Sequence, residues 1–524
     1  MSYRLGIDVG GTNTDAVILD EHSAVCAQCK TATTEDVSTG INRAVEAVLR
    51  EASVPPPLIE DAMLGTTHAT NAIVERKGLA RVGVLRLAAP SGLAIPPFLD
   101  WPEDMVGATA CASRIVHGGY EYNGALISPV DPDEVRRSLE ALRRLGAEAL
   151  AVSCAFSPVN DEQETRVQEL AADCFGGELP VTLSSEIGSI GLIERENAAV
   201  LNAAVRPLAE RAYGSFEDVL QVHGIRADLF ITQNDGTLMS IDYAKRYPVL
   251  TIASGPTNSL RGAAHLSGIR DAIVVDVGGT TTDVGILRSG FPRESTAAVA
   301  MGGVRTNFRM PDLIAVGLGG GSVVDLSGDA PRVGPRSVGY RLDQESRVFG
   351  GGTLTATDVA VAAGRLEIGD PARVGDLGQE AALRVMGVVR GMIEEAVDRM
   401  KSTSVDVPVI AVGGGSVLVP DDLHGAASVV KPEHHEVANA IGAAIAQVSG
   451  GVDGVFDVAS RGREQVLEEI KEAAREEAVR AGAAAETVEI VEMEEIPLAY
   501  LPSNAVRFRV KAAGDLRREP SAGG

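Results

Sequence analysis

Apolar positions along this chain fall into two rhythms. "YRLGIDV" from Tyr3 and "DAVILD" from Asp15 are strand-like runs. The Gly, Thr and Asn residues between them predict a β-hairpin, not a strand running into a helix. "INRAVEAVLREA" has helical spacing, with Ser38 and Thr39 as candidate caps. Short apolar runs return at "AMLG", "RVGVLRL" and "EALAVSCAF", alternating with helical stretches at "DEVRRSLEALRRLG" and "DEQETRVQELAADCF". Such alternation predicts an α/β fold, a partly parallel sheet with helices on its faces. The long helical stretch "IGLIERENAAVLNAAVRPLAERAYGSFEDVL" is expected to bridge two halves, because a second strand series follows it. That series runs through "ADLFITQNDG", "AIVVDVGG", "TDVGILRSG" and "VPVIAVGGGS". Near Ser460 the texture changes to a charged helix, then "ETVEIVEM" and "AVRFRVKA". The expected divisions are residues 1–195, 196–455 and 456–516, the last a small C-terminal α/β region, with 517–524 a disordered tail.

One pattern occurs twice. "DVGGTNTDAVIL" (Asp8–Leu19) and "DVGGTTTDVGIL" (Asp276–Leu287) agree at nine of twelve positions. A strand–turn–strand unit with Gly-Gly-Thr at its tip can offer backbone N–H groups and hydroxyls to a phosphate chain, where a Cβ would hold the phosphate away. An aspartate at a strand end suits hydrated Mg²⁺, which takes one or two carboxylates together with phosphate oxygens. Asp8 and Asp276 are therefore the expected metal ligands. Gly10, Gly11, Thr12, Asn13 and Thr14 are the expected phosphate contacts in one copy, and Gly278, Gly279, Thr280, Thr281 and Thr282 in the other. Two such hairpins facing each other would clasp one triphosphate from both sides. Asp15 and Asp283 close the hairpins and fit two roles, holding the turn or orienting water. Asn13 against Thr281 is the one polar exchange inside the shared core. No Walker-type G-x-x-x-x-G-K-[ST] stretch occurs.

Composition narrows the field. A length of 524 residues allows about three domains at ~150 residues each. Much of the glycine excess (58 residues) sits in clusters such as Gly319–Gly321 and Gly413–Gly415, where backbone must come close to something. The balance of 47 basic against 72 acidic residues, a net charge of −25, argues against a nucleic-acid partner. Five cysteines do not make a disulfide framework, and Cys26-x-x-Cys29 has no second pair to complete a metal site. His434-His435 lacks the H-E-x-x-H spacing because Asn439 stands in the second histidine position. With no leader-like start and no apolar run of about 18 residues, a cytoplasmic protein without membrane contact is expected.

The duplicated hairpin resembles the two phosphate motifs of the actin, sugar-kinase and heat-shock chaperone ATPase superfamily. That resemblance implies two ribonuclease-H-like domains closing on ATP and Mg²⁺. "VIAVGGGSVLVP" (Val409–Pro420) is similar to the superfamily's adenosine-holding turn, which would set Gly413, Gly414 and Gly415 against the nucleotide. "VANAIGAAIAQ" resembles its second connecting segment, whose small residues would pack closely at a hinge. "GTTHATNAIVERKG", "SSEIGSIGLIERENAAVLNA", "TIASGPTNSLRGAAHLSG", "VGLGGGSVV" and "EEIPLAYLPSNAVRFRVKAAGDL" narrow the resemblance to the hydantoinase A / 5-oxoprolinase family, over nearly the whole chain.

The family resemblance implies an ATP-dependent cyclic amidase or its activating subunit. The γ-phosphate goes to the carbonyl oxygen of a cyclic amide or imide, such as a hydantoin, 5-oxoproline or lactam, and the ring then opens. Nitrogen donation makes an amide carbonyl a poor electrophile, and phosphorylating its oxygen converts that oxygen into a leaving group. The protein's share would be positioning and charge neutralisation. His68, in "GTTHATNA", is expected at a strand end as a catalytic or substrate contact, with a hydrogen-bonded structural role as the alternative. Asp283 joins Asp8, Asp276 and His68 as a catalytic candidate. The family resemblance sets Glu194, Arg195 and Glu196 on the bridging helix at the border of the substrate cleft, with a solvated helix face as the more expected alternative, and Asn234 and Asp235 fit a turn. No B-type hydrolase half follows, so a partner subunit and an oligomer are expected. The competing functions are a ketone-activating carboxylase subunit, a sugar-type kinase and a nucleotide-driven chaperone or reactivating factor.

Overall fold

The computed structural model describes residues 2–33, 37–295, 299–498 and 505–517. The expected tail, apart from Arg517, lies outside the described residues. Both copies of the repeated pattern form antiparallel hairpins, Tyr3–Val9 with Asn13–Leu19 and Ala272–Val277 with Thr282–Arg288. Their β-branched and leucine side chains are buried, so each hairpin lies inside a sheet with elements packed on it. In each, the first strand pairs in parallel with a later strand, Ile59–Thr66 in one case and Val407–Val412 in the other. Two mixed sheets of the same local build result, each with its own hydrophobic core. This is the α/β, two-lobed arrangement that the superfamily resemblance implies.

Sheet membership departs from the expected divisions. The first hairpin's sheet has nine strands and draws in Asp228–Thr232, Thr237–Ser240, Gln447–Asp457, Ala505–Gly514 and Glu489–Pro497. The C-terminal strands therefore extend the first lobe's sheet and do not form a separate appendage. Conversely, Val82–Ala89, Ala110–His117, Ala149–Cys154 and Val181–Leu183 make their own four-stranded parallel sheet, within residues expected to belong to the first lobe. The division at 195/196 falls inside one helix, Leu192–Val222, which lies against that inserted sheet. Apolar alternation specifies that a strand is half-buried, not which sheet completes it. Ser38 and Thr39 lie inside the helix Val37–Ala52 and not ahead of it.

Two short helices join the lobes. Ser254–Ser267 and Ala438–Ala444 cross in backbone contact. A Cβ on Gly262 would stand 1.9 Å from the Ala438 carbonyl oxygen, and one on Gly442 1.8 Å from that of Asn258. The small residues of "VANAIGAAIAQ" thus do what their size predicts. No helix among the described residues is long and apolar enough to cross a membrane.

Candidate functional site

Backbone bonds shape both tips. Gly10 N–H donates to the Asn13 carbonyl at 2.9 Å, and Gly278 N–H to that of Thr281 at 2.9 Å. Strand register sets Asp8 opposite Asp15 and Asp276 opposite Asp283. The tips meet: Thr12 Oγ1 lies 3.4 Å from Thr280 Oγ1. The turn at Gly319–Gly321 docks behind the second tip, with Gly320 and Gly321 N–H donating to the Gly278 and Gly279 carbonyls at 3.0 and 2.7 Å. Gly413, at φ +85°, takes the third turn against Asp276, where a Cβ would come within 2.3 Å of Oδ1.

The two tips and the turn at Gly413–Gly415 wall one cleft of about 640 Å³, with Gly320 of the turn behind the second tip also lining it. Gly10, Gly11, Thr12, Asn13, Gly278, Gly279, Thr280, Thr281, Asp276 and Gly413–Gly415 all line it. An apolar end is formed by Tyr340, Leu342, Phe349, Leu366 and Ile368. Thr14 and Thr282 do not line it. The pleat turns both inward, Thr14 toward Thr33 Oγ1 at 3.4 Å and Thr282 donating to the Leu318 carbonyl at 2.7 Å. Asp8, Asp283 and His68 are also absent from the lining residues.

The carboxylates sit in unequal surroundings. Asp8 is 3% exposed, and its two oxygens accept from Asn258 Nδ2 at 3.1 Å and Asn439 Nδ2 at 3.0 Å. Burial nevertheless pushes its carboxyl up to about 6, with the neighbouring Asp15 adding to the rise. Asp15 accepts from Asn439 at 2.8 Å and holds Lys30 Nζ at 2.7 and 2.8 Å, and burial still raises it. Burial raises Asp276 against the Ser259 hydrogen bond. Asp283, raised by burial and then by Asp276, reaches about 7. Asp276 is thus the one of the two expected metal ligands that faces the cleft. The described residues hold no cluster of three His, Cys, Asp or Glu side chains suited to a metal. Mg²⁺ with a bound triphosphate needs only one or two carboxylates, so the arrangement fits it.

Lys30, Asn439 and Ser259 were not among the expected site residues. Lys30 carried no signal of its own in the sequence; the third strand's register, which places it directly opposite Asp15, brings it to the site. Asn439 lies in the small-residue stretch "VANAIGAAIAQ", where nothing in the sequence marks its side chain as a partner of the hairpin carboxylates.

The remaining candidates fall elsewhere. His68 opens the helix His68–Glu75, with Nδ1 3.3 Å from Thr66 Oγ1, and burial lowers its pKa. Thr67 Oγ1 ties this stretch to the first hairpin through the Val9 carbonyl at 3.2 Å. Arg195 and Glu196 are buried, not solvated. Glu196 receives Arg86 Nε at 2.7 Å and Ser153 Oγ at 2.6 Å, and Arg195 Nε donates to Ser184 Oγ at 3.0 Å, so both pin the long helix to the inserted sheet. Glu194 pairs with Arg305 at 3.4 Å. Asn234 donates to the Arg309 carbonyl, and Asp235 pairs with Lys511 at 2.7 Å. Cys29 donates to the Ala44 carbonyl while Cys26 is exposed. His434 and His435 contact Gln28 and Ser416.

The model of the hydantoinase/oxoprolinase N-terminal region matches residues 4–175, and the hydantoinase/oxoprolinase model matches residues 195–376. The gamma subunit of acetophenone carboxylase from Aromatoleum aromaticum is 30% identical over 390 residues, which is 69% of this chain and 53% of that protein. Caprolactamase subunit alpha from Pseudomonas jessenii is 26% identical over 401 residues, 70% of this chain and 55% of that protein. The chain spans about half the length of the curated relatives it matches. Among solved structures, the ATP-dependent caprolactamase of Pseudomonas jessenii superposes with a TM-score of 0.75 at 19% identity, covering 99% of this chain and 88% of that one. Nucleotide-free acetone carboxylase gives 0.69 at 19% identity with the same coverage, and both likenesses are of fold.

Proposed function

Because the chain belongs to the hydantoinase/oxoprolinase family, we propose that it binds Mg²⁺-ATP in the cleft between its hairpins. On this reading it activates the carbonyl of a cyclic amide or imide for ring opening, as one subunit of a larger enzyme. The observation that carries the proposal is the meeting of the duplicated tips, Thr12 to Thr280 at 3.4 Å, over a cleft walled by three glycine turns. Gly10–Asn13 and Gly278–Thr281 would hold phosphates from opposite lobes. Asp276 would hold hydrated Mg²⁺, and the base would lie between Gly413–Gly415 and the apolar end at Tyr340 and Ile368. The bound nucleotide supplies the phosphoryl group that makes the carbonyl oxygen a leaving group. The chain's residues position that group, neutralise its charge and exclude water from it. His68, at the end of the strand that pairs with the first hairpin, is the proposed contact for the acceptor molecule. A partner subunit is proposed because two of the relatives bear subunit names.

A second reading is favoured by one observation, the 30% identity to a subunit of acetophenone carboxylase. In that case the activated carbonyl belongs to a ketone awaiting carboxylation. ADP release measured with hydantoins, 5-oxoproline, lactams, ketones and sugars separates these outcomes. Stimulation by lactams or hydantoins supports the first reading, and by ketones with bicarbonate the second. Stimulation by sugars alone overturns both.

A further inference from the structure

The cleft is poor in positive charge. Its lining residues include the carboxylates of Asp15, Asp276, Asp343 and Glu436, and Lys30 is the single Lys, Arg or His among the described ones. Lys30 stands on the strand Val25–Ala32, which belongs to the first lobe. Its side chain is 31% exposed, and its Cε lies 3.9 Å from where a Cβ on Gly414 would stand. The ammonium thus sits between the first hairpin and the third glycine turn, which comes from the other lobe. Both Asp15 oxygens lie within 2.8 Å of Nζ, yet Asp15 also accepts from Asn439, so it is not left bare if Lys30 turns away.

A triphosphate entering this cleft brings several negative charges to a wall already acidic, and Mg²⁺ offsets only part of them. A lysine ammonium has three rotatable donors and can serve a carboxylate and a phosphate oxygen together. We propose that Lys30 is the cleft's phosphate-binding cation, stationed on Asp15 and turning an N–H onto a phosphate oxygen of the bound nucleotide. The proposal rests on the Mg²⁺-ATP reading above. It makes Asp15 a positioning residue that aims the ammonium, with Asn439 fixing the carboxylate from the hinge helix.

The test is calorimetric titration of the full chain with the magnesium complex of a non-hydrolysable ATP analogue. K30M should weaken binding about 10–100-fold, the loss of one hydrogen bond to a charged group. K30Q serves in its place should the apolar substitution impair folding. The double variant D15N/K30M decides between contact and mere charge balance. If Lys30 touches phosphate, the double variant stays as weak as K30M. Wild-type affinity in K30M, or its recovery in D15N/K30M, overturns the proposal by leaving Lys30 a counter-ion of Asp15. Absence of binding by the wild type would instead sink the nucleotide reading itself, a different outcome from intact wild-type binding with an unaffected K30M.

Discussion

The two hairpins match at nine of twelve positions, yet they stand in different electrostatic settings. In the first, Asp8 and Asp15 share Asn439, and Asn258 and Lys30 complete the set. In the second, Asp276 faces Ser259, and Asp283 has no ionic or hydrogen-bonding side-chain partner among the described residues. The glycines differ too. A Cβ on Gly11 would meet nothing within 4 Å, whereas one on Gly279 would press on Thr12 at 2.8 Å. A duplicated stretch dictates a duplicated turn, because the turn is closed by its own backbone. Charge and crowding come from what packs around each turn, which includes Lys30, Asn258, Asn439 and, for Gly279, the other copy's Thr12, and there the copies diverge.

The largest test of this difference is a pair of substitutions at equivalent aspartates. Asp276→Asn should lower Mg²⁺-dependent ADP release by about 10²–10³-fold, the range for removing one preorganised electrostatic contact. Asp8→Asn should cost only about tenfold, since Asp8 lies behind Asn439 and off the cleft wall. Equal losses at both sites would mean that the lobes contribute symmetrically to the metal.

A second pair exchanges the twin glycines. Gly279→Ala should reduce stability by about 1–3 kcal/mol through overpacking against Thr12. Gly11→Ala should change stability by less than about 0.5 kcal/mol while weakening nucleotide binding, because its methyl group projects into the open cleft. Urea unfolding and nucleotide titration of both variants check this, and a Gly11→Ala protein as destabilised as Gly279→Ala would erase the distinction.

Much of the site was legible in the sequence, and the reason is local. Gly10-Gly11, Gly278-Gly279 and Gly413–Gly415 advertise turns that need no distant partner to form. The illegible parts depend on distant pairing. Lys30 counts as a site residue only once the third strand's register puts it opposite Asp15. Asn439 arrives from a helix more than 400 positions away. Thr14 and Thr282 resemble Thr12 and Thr280 in composition, but the pleat sends them inward. Glu196 looks like a surface charge until Arg86, from the inserted sheet, covers it. The nine-stranded sheet shows the same limit, since "ADLFITQNDG" and "AVRFRVKA" read as strands without saying that they complete the first lobe.

A third test uses pH. The Asp283 carboxyl stands at about 7 in the folded chain against an ordinary value of 3.8, so the folded state holds a proton that the unfolded state has released. Its contribution to stability is full below about 3.8 and is lost as pH rises toward 7. Asp283→Asn should remove that loss, making the variant more stable than wild type at pH 8 by on the order of 2 kcal/mol and nearer to it at pH 5. Parallel pH profiles for the two proteins, in urea unfolding, would show that Asp283 titrates normally. Asp15→Asn offers the contrast, because it takes away Lys30's partner as well as a buried carboxyl.

The smallest expected effect lies at the one polar exchange between the cores of the repeats. Asn13 and Thr281 both line the cleft, and each closes its turn through its backbone carbonyl, at the same 2.9 Å. Asn13→Thr therefore keeps the turn and replaces an amide with a hydroxyl, and either can donate to a phosphate oxygen. Affinity for the magnesium nucleotide should shift by less than about threefold, or about 0.7 kcal/mol. The comparison is sharpest if Asn13→Thr is neutral while K30M is not. The tips would then be interchangeable and the lysine beside one of them would not be. A large loss from Asn13→Thr would place the asymmetry of the site inside the repeat, at the one polar position of the three where its two copies differ.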